Sequence, residues 1–178
     1  MPIPPHIEEL RTLVGHRLLW FATTRAVVTD GQGRVLLGRF PGHSDWTIPG
    51  GVIDPGEQPA DAAARECFEE TGIVAVPQAI SSVAVSPVVT HPNGDLTQHL
   101  DIVFRCQAVG GEPRPRDGEL AAAGWFDAGA LPEMSDYFRG LLAGALGGGP
   151  AAYEFSGLFA ALGPEAGAVL AALGRDGS

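Results

Sequence analysis

Three glutamates, Glu66, Glu69 and Glu70, lie three and four residues apart in PADAAARECFEETG, a spacing that gathers them on one helix face near its end. As bare structure this costs stability. Like charges at that spacing repel, and carboxylates oppose the negative end of the helix dipole. A bound cation reverses the sign of both effects. The helix is well marked: Pro59 suits a first helical position, Asp61 adds an anion to the first turn, alanines fill 60 and 62–64, and Gly72 supplies the stop. Ahead of it, Pro49, Gly50, Gly51, Pro55 and Gly56 make a loop whose backbone can approach a ligand closely. The local order is strand, glycine loop, acidic helix.

GVIDPGEQPADAAARECFEETGI, residues 51–73, resembles the signature box of the Nudix hydrolases. Gly51, Glu57, Arg65, Glu66, Glu69, Glu70, Gly72 and Ile73 stand in register with it, and Cys67 replaces the usual larger aliphatic residue. A free cysteine behaves as a small hydrophobe and should still pack inward. RVLLGR and WTIPGG before the box, and GWF then ALP after it, extend the likeness. The resemblance, together with the order of elements, implies the α/β class: a Nudix-type α/β/α sandwich with a mixed sheet between helices. It also implies Mg2+, with Mn2+ able to stand in. Glu66 and Glu70 are then the principal ligands, Glu69 sits beside them, and the Gly51 carbonyl completes the shell.

Magnesium takes oxygen ligands and is usually shared between carboxylates and substrate phosphates, so the implied reaction is hydrolysis of a P–O–P link by an activated water. Glu69, Arg65 and Glu119 form the catalytic set. The likeness gives Glu57 and Arg65 an ion pair fixing loop to helix, a use suited to a guanidinium clamp, and makes Gly72 structural. Glu119, six residues before Trp125, is the candidate general base or extra ligand, set against an exposed loop carboxylate; Glu112 and Asp117 are its substitutes.

For substrate recognition, Arg39, Phe40, Trp46 and His99 are the candidates, with His43, His91, Asn93 and Asp95 nearby in sequence. An aromatic ring can stack on a base and an arginine can meet a phosphate, although Trp46 ahead of Ile48 and Pro49 also suits a loop anchor. A proline about fifteen residues past the box is associated in the family with ADP-ribose hydrolysis; Pro87 lies fourteen beyond Ile73. The tyrosine of dinucleoside polyphosphate enzymes and the SQPWPFPxS pattern of NADH pyrophosphatases are missing. The expected substrate is a nucleoside diphosphate linked to another moiety: ADP-ribose, a nucleotide sugar or a nucleoside triphosphate. A non-catalytic nucleotide-metabolite sensor is the alternative, and isomerisation of a small diphosphate a more distant third.

A formal charge of −10 speaks against binding nucleic acid polymers, which requires a basic face. All eleven basic residues are Arg, a bias resembling that of a GC-rich bacterial genome. Cys67 and Cys106 fit no zinc or thioredoxin spacing, which suits a reducing cytoplasm. No secretory leader is legible in MPIPPHIEELRTLVG, and no apolar run reaches the ~18 residues that span a bilayer. A cytoplasmic protein without membrane attachment is expected.

Three regions follow: an N-terminal helical extension over 1–20, a Nudix hydrolase domain over 21–134, and a C-terminal helix with an Ala/Gly-rich tail packed on it over 135–178. Ile7 to Phe21 reads as an amphipathic segment with Ile7, Leu10, Val14, Leu18 and Leu19 on one stripe, available for domain packing or for a homodimer contact. Hairpin strands are expected at 25–29 and 34–38 through Asp30-Gly31-Gln32-Gly33, further strands at 80–89 and 96–108, and a short one from Trp125. Helix is expected at 135–146 and, weakly, at 155–173.

Overall fold

The computed structural model describes residues 4–154. In chain order it contains α1 (Pro5–Val14), β1 (Leu19–Thr29), β2 (Val35–Arg39), α2 (Pro59–Thr71), β3 (Val74–Val85), β4 (Val89–Thr90), β5 (Leu96–Gly110), β6 (Ala122–Phe126), α3 (Asp136–Gly147) and β7 (Ala152–Tyr153). Among the described residues the strands form one mixed sheet in the order β6-β2-β1-β5-β3-β7, with β4 on β5. β1 runs parallel to β5, while β2 on β1 and β3 on β5 are antiparallel.

Alternation along β1 sorts its side chains between two cores. Ala26 and Val28 join Leu36, Ala63, Cys67 and Phe104 beneath α2. Val27 joins Leu37, Ile48, Val103, Leu141 and Leu142 beneath α3. The sheet therefore lies between helices, as the α/β/α expectation held. Ala63 and Cys67 are fully buried, and their small size lets α2 approach the sheet closely enough to bury Glu66 and Glu70 as well.

The first hairpin forms because Asp30 organises it: its Oδ1 accepts from the Gln32 and Arg34 amides, at 2.9 Å each, while Gly33 takes φ +77°. Beyond Thr29↔Val35 the two strands splay, and the loop ahead of α2 is stitched into the gap. The Thr24 amide donates to the Gly51 carbonyl (2.9 Å) and Ala26 to Pro49 (2.8 Å), while Gly38 and Thr47 exchange amide bonds on the β2 side.

The N-terminal helix is shorter than expected. It ends at Val14, where Gly15 at φ +61° turns the chain, and Leu18, Trp20 and Phe21 belong to the approach and first residues of β1. The stripe from Ile7 to Leu18 continues across a glycine that breaks the helix, and the bulky residues beyond it favour a strand. β3 also starts earlier than expected, at Val74. Of its three register shifts, the one between Pro77 and Ala79 falls at a residue that cannot donate to a regular ladder. α3 is capped by Ser135, whose Oγ accepts from the Phe138 amide (3.3 Å). The helix expected over 155–173 lies outside the described residues. Among the described residues no helix is long and apolar enough to cross a membrane.

Candidate active site

The glycine loop and the last two turns of α2 meet above β1. Gly50 and Gly51 are required there by contact. A β-carbon on Gly50 would collide with the Thr24 carbonyl, and one on Gly51 would stand 2.5 Å from the Glu66 carboxylate. The loop backbone therefore rests directly on the acidic side chains.

Arg65 ties this loop to the helix. Its Nε and Nη2 donate to the two oxygens of Glu57 at 2.8 Å each, its Nη1 donates to Glu66 (2.9 Å) and Glu69 (3.1 Å), and its Nη2 also reaches the Val52 carbonyl at 3.3 Å. The bond from Arg65 holds the Glu57 carboxyl below its ordinary range, and Glu57 in return raises the arginine's proton affinity.

The three box glutamates are not equivalent. Glu66 and Glu70 are 1% and 3% exposed, whereas Glu69 lies on the surface against Arg65. Burial is the main cause that lifts Glu66 to about 7, against the bond from Arg65 and with help from the charges of Glu69 and Glu119. Burial likewise lifts Glu70 to about 8, opposed by the Gly50 amide bond (3.0 Å) and raised further by Glu66 and Glu119. Glu66 Oε2 is buried without a hydrogen-bond partner. Among the described residues no three His, Cys, Asp or Glu side chains converge at coordinating distance, since Glu69 is turned onto Arg65. The donors nevertheless suit a hard divalent cation: two dehydrated carboxylates, one with an orphaned oxygen, under a close-packed backbone. The Gly51 carbonyl already accepts from Thr24 and keeps one lone pair.

Glu119 belongs to this neighbourhood, because its charge acts on both Glu66 and Glu70. Its amide donates to Asp117 Oδ1 at 2.9 Å, which shapes the turn that presents it. Gly72, at φ +74°, closes α2.

The recognition candidates separate into two groups. Arg39, Phe40 and Trp46 sit at the end of β2 and the loop after it: Arg39 donates to the His43 carbonyl (3.0 Å) and lies over the Trp46 ring. Trp46 packs edge-on against Phe126, with centroids 4.5 Å apart, as a loop anchor would. His99 is elsewhere, on β5, with its ring nearly parallel to Phe21. Pro87 lines a wide groove between β3 and α3, of about 980 Å³, together with Tyr137.

A buried polar network went unread in the sequence. Asp101, fully buried, accepts from Arg25 Nε (3.0 Å) and Thr23 Oγ1 (2.6 Å) at one oxygen and from the Tyr137 hydroxyl (2.6 Å) at the other. Burial works against its ionisation, but the Arg25 charge and these bonds hold it below the ordinary carboxylate range. The charge of Arg25 also reaches Glu70 and His99, so this network adjoins the acidic site. Arg25 and Asp101 are 76 positions apart, and only the parallel β1–β5 register joins them. No local pattern signals such a pair.

A family model described as NUDIX domain matches residues 20–142 of this chain. Over 126 residues the chain is 32% identical to a MutT-like protein of Streptomyces ambofaciens, a match covering 70% of this chain and 76% of that protein. A 42% identity over 52 residues to an RNA pyrophosphohydrolase of Psychrobacter sp. (strain PRwf-1) covers 29% of this chain and 30% of that enzyme. The crystal structure of the MutT protein from Methanosarcina mazei Go1 matches with a TM-score of 0.60 at 25% identity, over 71% of this chain and 92% of that one.

Proposed function

This chain belongs to the Nudix family, and from that premise we propose that it is a magnesium-dependent pyrophosphohydrolase. Its substrate is a nucleoside diphosphate joined to another group: ADP-ribose, a nucleotide sugar or a nucleoside triphosphate. The observation that carries this reading is the buried, unpartnered oxygen of Glu66 beside Glu70 beneath the glycine loop. A purely structural pair of carboxylates would have its oxygens satisfied.

Glu66 and Glu70 are the residues that would hold Mg2+, or Mn2+ in its place, with Glu69 and the Gly51 carbonyl as further oxygens. When bound, the cation offsets charge on the diphosphate and makes water more acidic. The protein's own groups supply position and proton transfer. Arg65 and Glu57 fix the loop against α2, and Arg65 holds Glu69 in waiting. Glu119 takes the proton of the attacking water as its oxygen bonds to phosphorus, and the bridging P–O bond breaks with its electron pair leaving on the departing phosphate. Arg39 and Phe40 are assigned to the substrate side. Exposed Leu10, Leu13, Leu18 and Trp20 favour a homodimer contact, and two buried unpaired cysteines favour a reducing cytoplasm.

The test is a panel of ADP-ribose, UDP-sugar and nucleoside triphosphates with and without Mg2+, with products identified by mass. Expected is a nucleoside monophosphate or diphosphate product that forms only with the cation. Tight nucleotide binding with no turnover of any panel member overturns the hydrolase in favour of a sensor.

A further inference from the structure

On the far side of Val52 from Arg65, α1, the start of β1 and the β4–β5 turn enclose a cavity of about 390 Å³. It shares a wall with the acidic site, because Val52 lines it while the Val52 carbonyl accepts from Arg65. The remaining walls are flat and largely apolar: the rings of Phe21, His99 and His91, with Pro4, Ile7 and Pro92. Phe21 and His99 are cross-strand partners whose rings lie 6.0 Å apart between centroids at 21° to one another, a near-parallel aromatic pair on one side of the cavity.

The charges around this cavity are already spent. Arg11 directs Nη1 to the Gly15 and Arg17 carbonyls, Nη2 to the Leu96 carbonyl and Nε to Asp95, and Asp95 also takes His16 and Asn93. That clamp fastens α1 over the opening. It leaves no cation for a phosphate and no anion for an amine. The His91 Nε2 is likewise engaged with the Thr97 hydroxyl at 2.9 Å. Burial, joined by the charge of Arg25, lowers the proton affinity of His99, so its ring faces the cavity neutral. An uncharged planar ring suits such walls, and the volume is in the range of small-molecule sites.

We infer that this cavity is the base pocket, receiving the heteroaromatic ring of a nucleoside against Phe21 and His99 while the attached diphosphate extends past Val52 to the glutamates. The assignment rests on the hydrolase reading for its second half only; the pocket itself is defined without phosphate or cation. Phe21 and His99 are thereby specificity residues.

Saturation-transfer NMR with adenosine, guanosine, cytidine and uridine, in EDTA, reads the pocket apart from the reaction. At least one nucleoside should bind the wild type, and the signal should fall in Phe21→Ala and His99→Ala. Phe21→Leu, which keeps an apolar side chain but removes the flat ring, covers the case of a destabilised alanine variant. In turnover, stacking of this kind corresponds to a rise in KM of about fivefold to a hundredfold for the nucleotide substrate, larger than any accompanying fall in kcat. Absence of binding by all four nucleosides, or unchanged binding and KM in both Phe21→Leu and His99→Ala, overturns the pocket. A wild type that binds a nucleoside but hydrolyses nothing leaves the pocket standing and removes the hydrolase reading instead.

Discussion

Raising the pH from about 5 to about 8 without divalent cations should weaken the fold. Glu66 and Glu70 keep their protons in the folded chain up to about 7 and about 8, against 4.5 for an ordinary glutamate, as in the unfolded chain. Between those limits the folded state binds more protons than the unfolded one, so unfolding is favoured progressively as pH rises. Each extra proton over one pH unit corresponds to ~1.4 kcal/mol. With two interacting groups and relaxation of a small domain, a net loss of about 2 to 5 kcal/mol by pH 8 is expected. Other groups act in different windows. The depressed His99 has its full contribution above its ordinary 6.5 and loses it as pH falls, so it opposes the trend only on the acid side. Cys67 and Cys106, pushed up to about 12 by burial, destabilise only above about 9, their ordinary value. Glu57 and Asp101 are depressed and lose their contribution only as pH falls through the acid range.

Urea unfolding in EDTA at one-unit pH intervals measures the profile, and the Glu66→Gln/Glu70→Gln double variant isolates the pair because every other group is common to both proteins. The two profiles should coincide near pH 5 and diverge toward pH 8, where the double variant is the more stable. Millimolar Mg2+ should restore the wild type at pH 8 by more than at pH 6, and leave the double variant unmoved. Parallel profiles from pH 5 to 8 would refute the claim that both carboxyls are dehydrated, and with it the case for a cation there.

Asp101→Ala strands Arg25 in the interior and should cost about 3 to 5 kcal/mol in urea unfolding, with Arg25→Met in the same chain recovering part of the loss; a change below ~1 kcal/mol contradicts the network. Glu119→Gln should lower kcat by about a hundredfold or more while the Mn2+ affinity, followed by calorimetry, moves by less than about threefold; equal losses in both make Glu119 a ligand rather than the base. Gly50→Ala pushes a β-carbon into the Thr24 carbonyl, so the loop must lift and both Mn2+ affinity and turnover fall together. Arg65→Lys keeps the charge but loses the two-pronged grip on Glu57, and is expected to behave like Arg65→Ala in turnover rather than like the wild type.

The box was legible because its constraints are local. Proline at the first turn, alanines along the packed face and glycine at the end each act within a few residues, and α2 runs from Pro59 to Thr71 with Gly72 after it. What stayed hidden depends on register between distant strands. Arg25 meets Asp101 only because β1 and β5 align Thr23 with Asp101. Phe21 falls at the end of the amphipathic segment that starts at Ile7, and only the turn at Gly15 makes it a strand residue and a cavity wall. The division of labour among the glutamates was hidden too: helical spacing puts Glu66, Glu69 and Glu70 together, but the loop that covers Glu66 and Glu70 and leaves Glu69 to Arg65 is set by how that loop fills the gap between β1 and β2.

That gap connects the fold to its chemistry. Had β1 and β2 paired along their full length, the Pro49 and Gly51 carbonyls would have no β1 amides to accept from, and the glutamates of α2 would face solvent with ordinary acidities. The splay of β1 from β2 ahead of Thr29 instead admits the loop, the loop dehydrates two carboxylates, and the resulting destabilisation is relieved by whatever binds them ionised. The site and the strand defect are therefore one feature. A substitution that closes the hairpin further is expected to raise metal-free stability and lower cation affinity together.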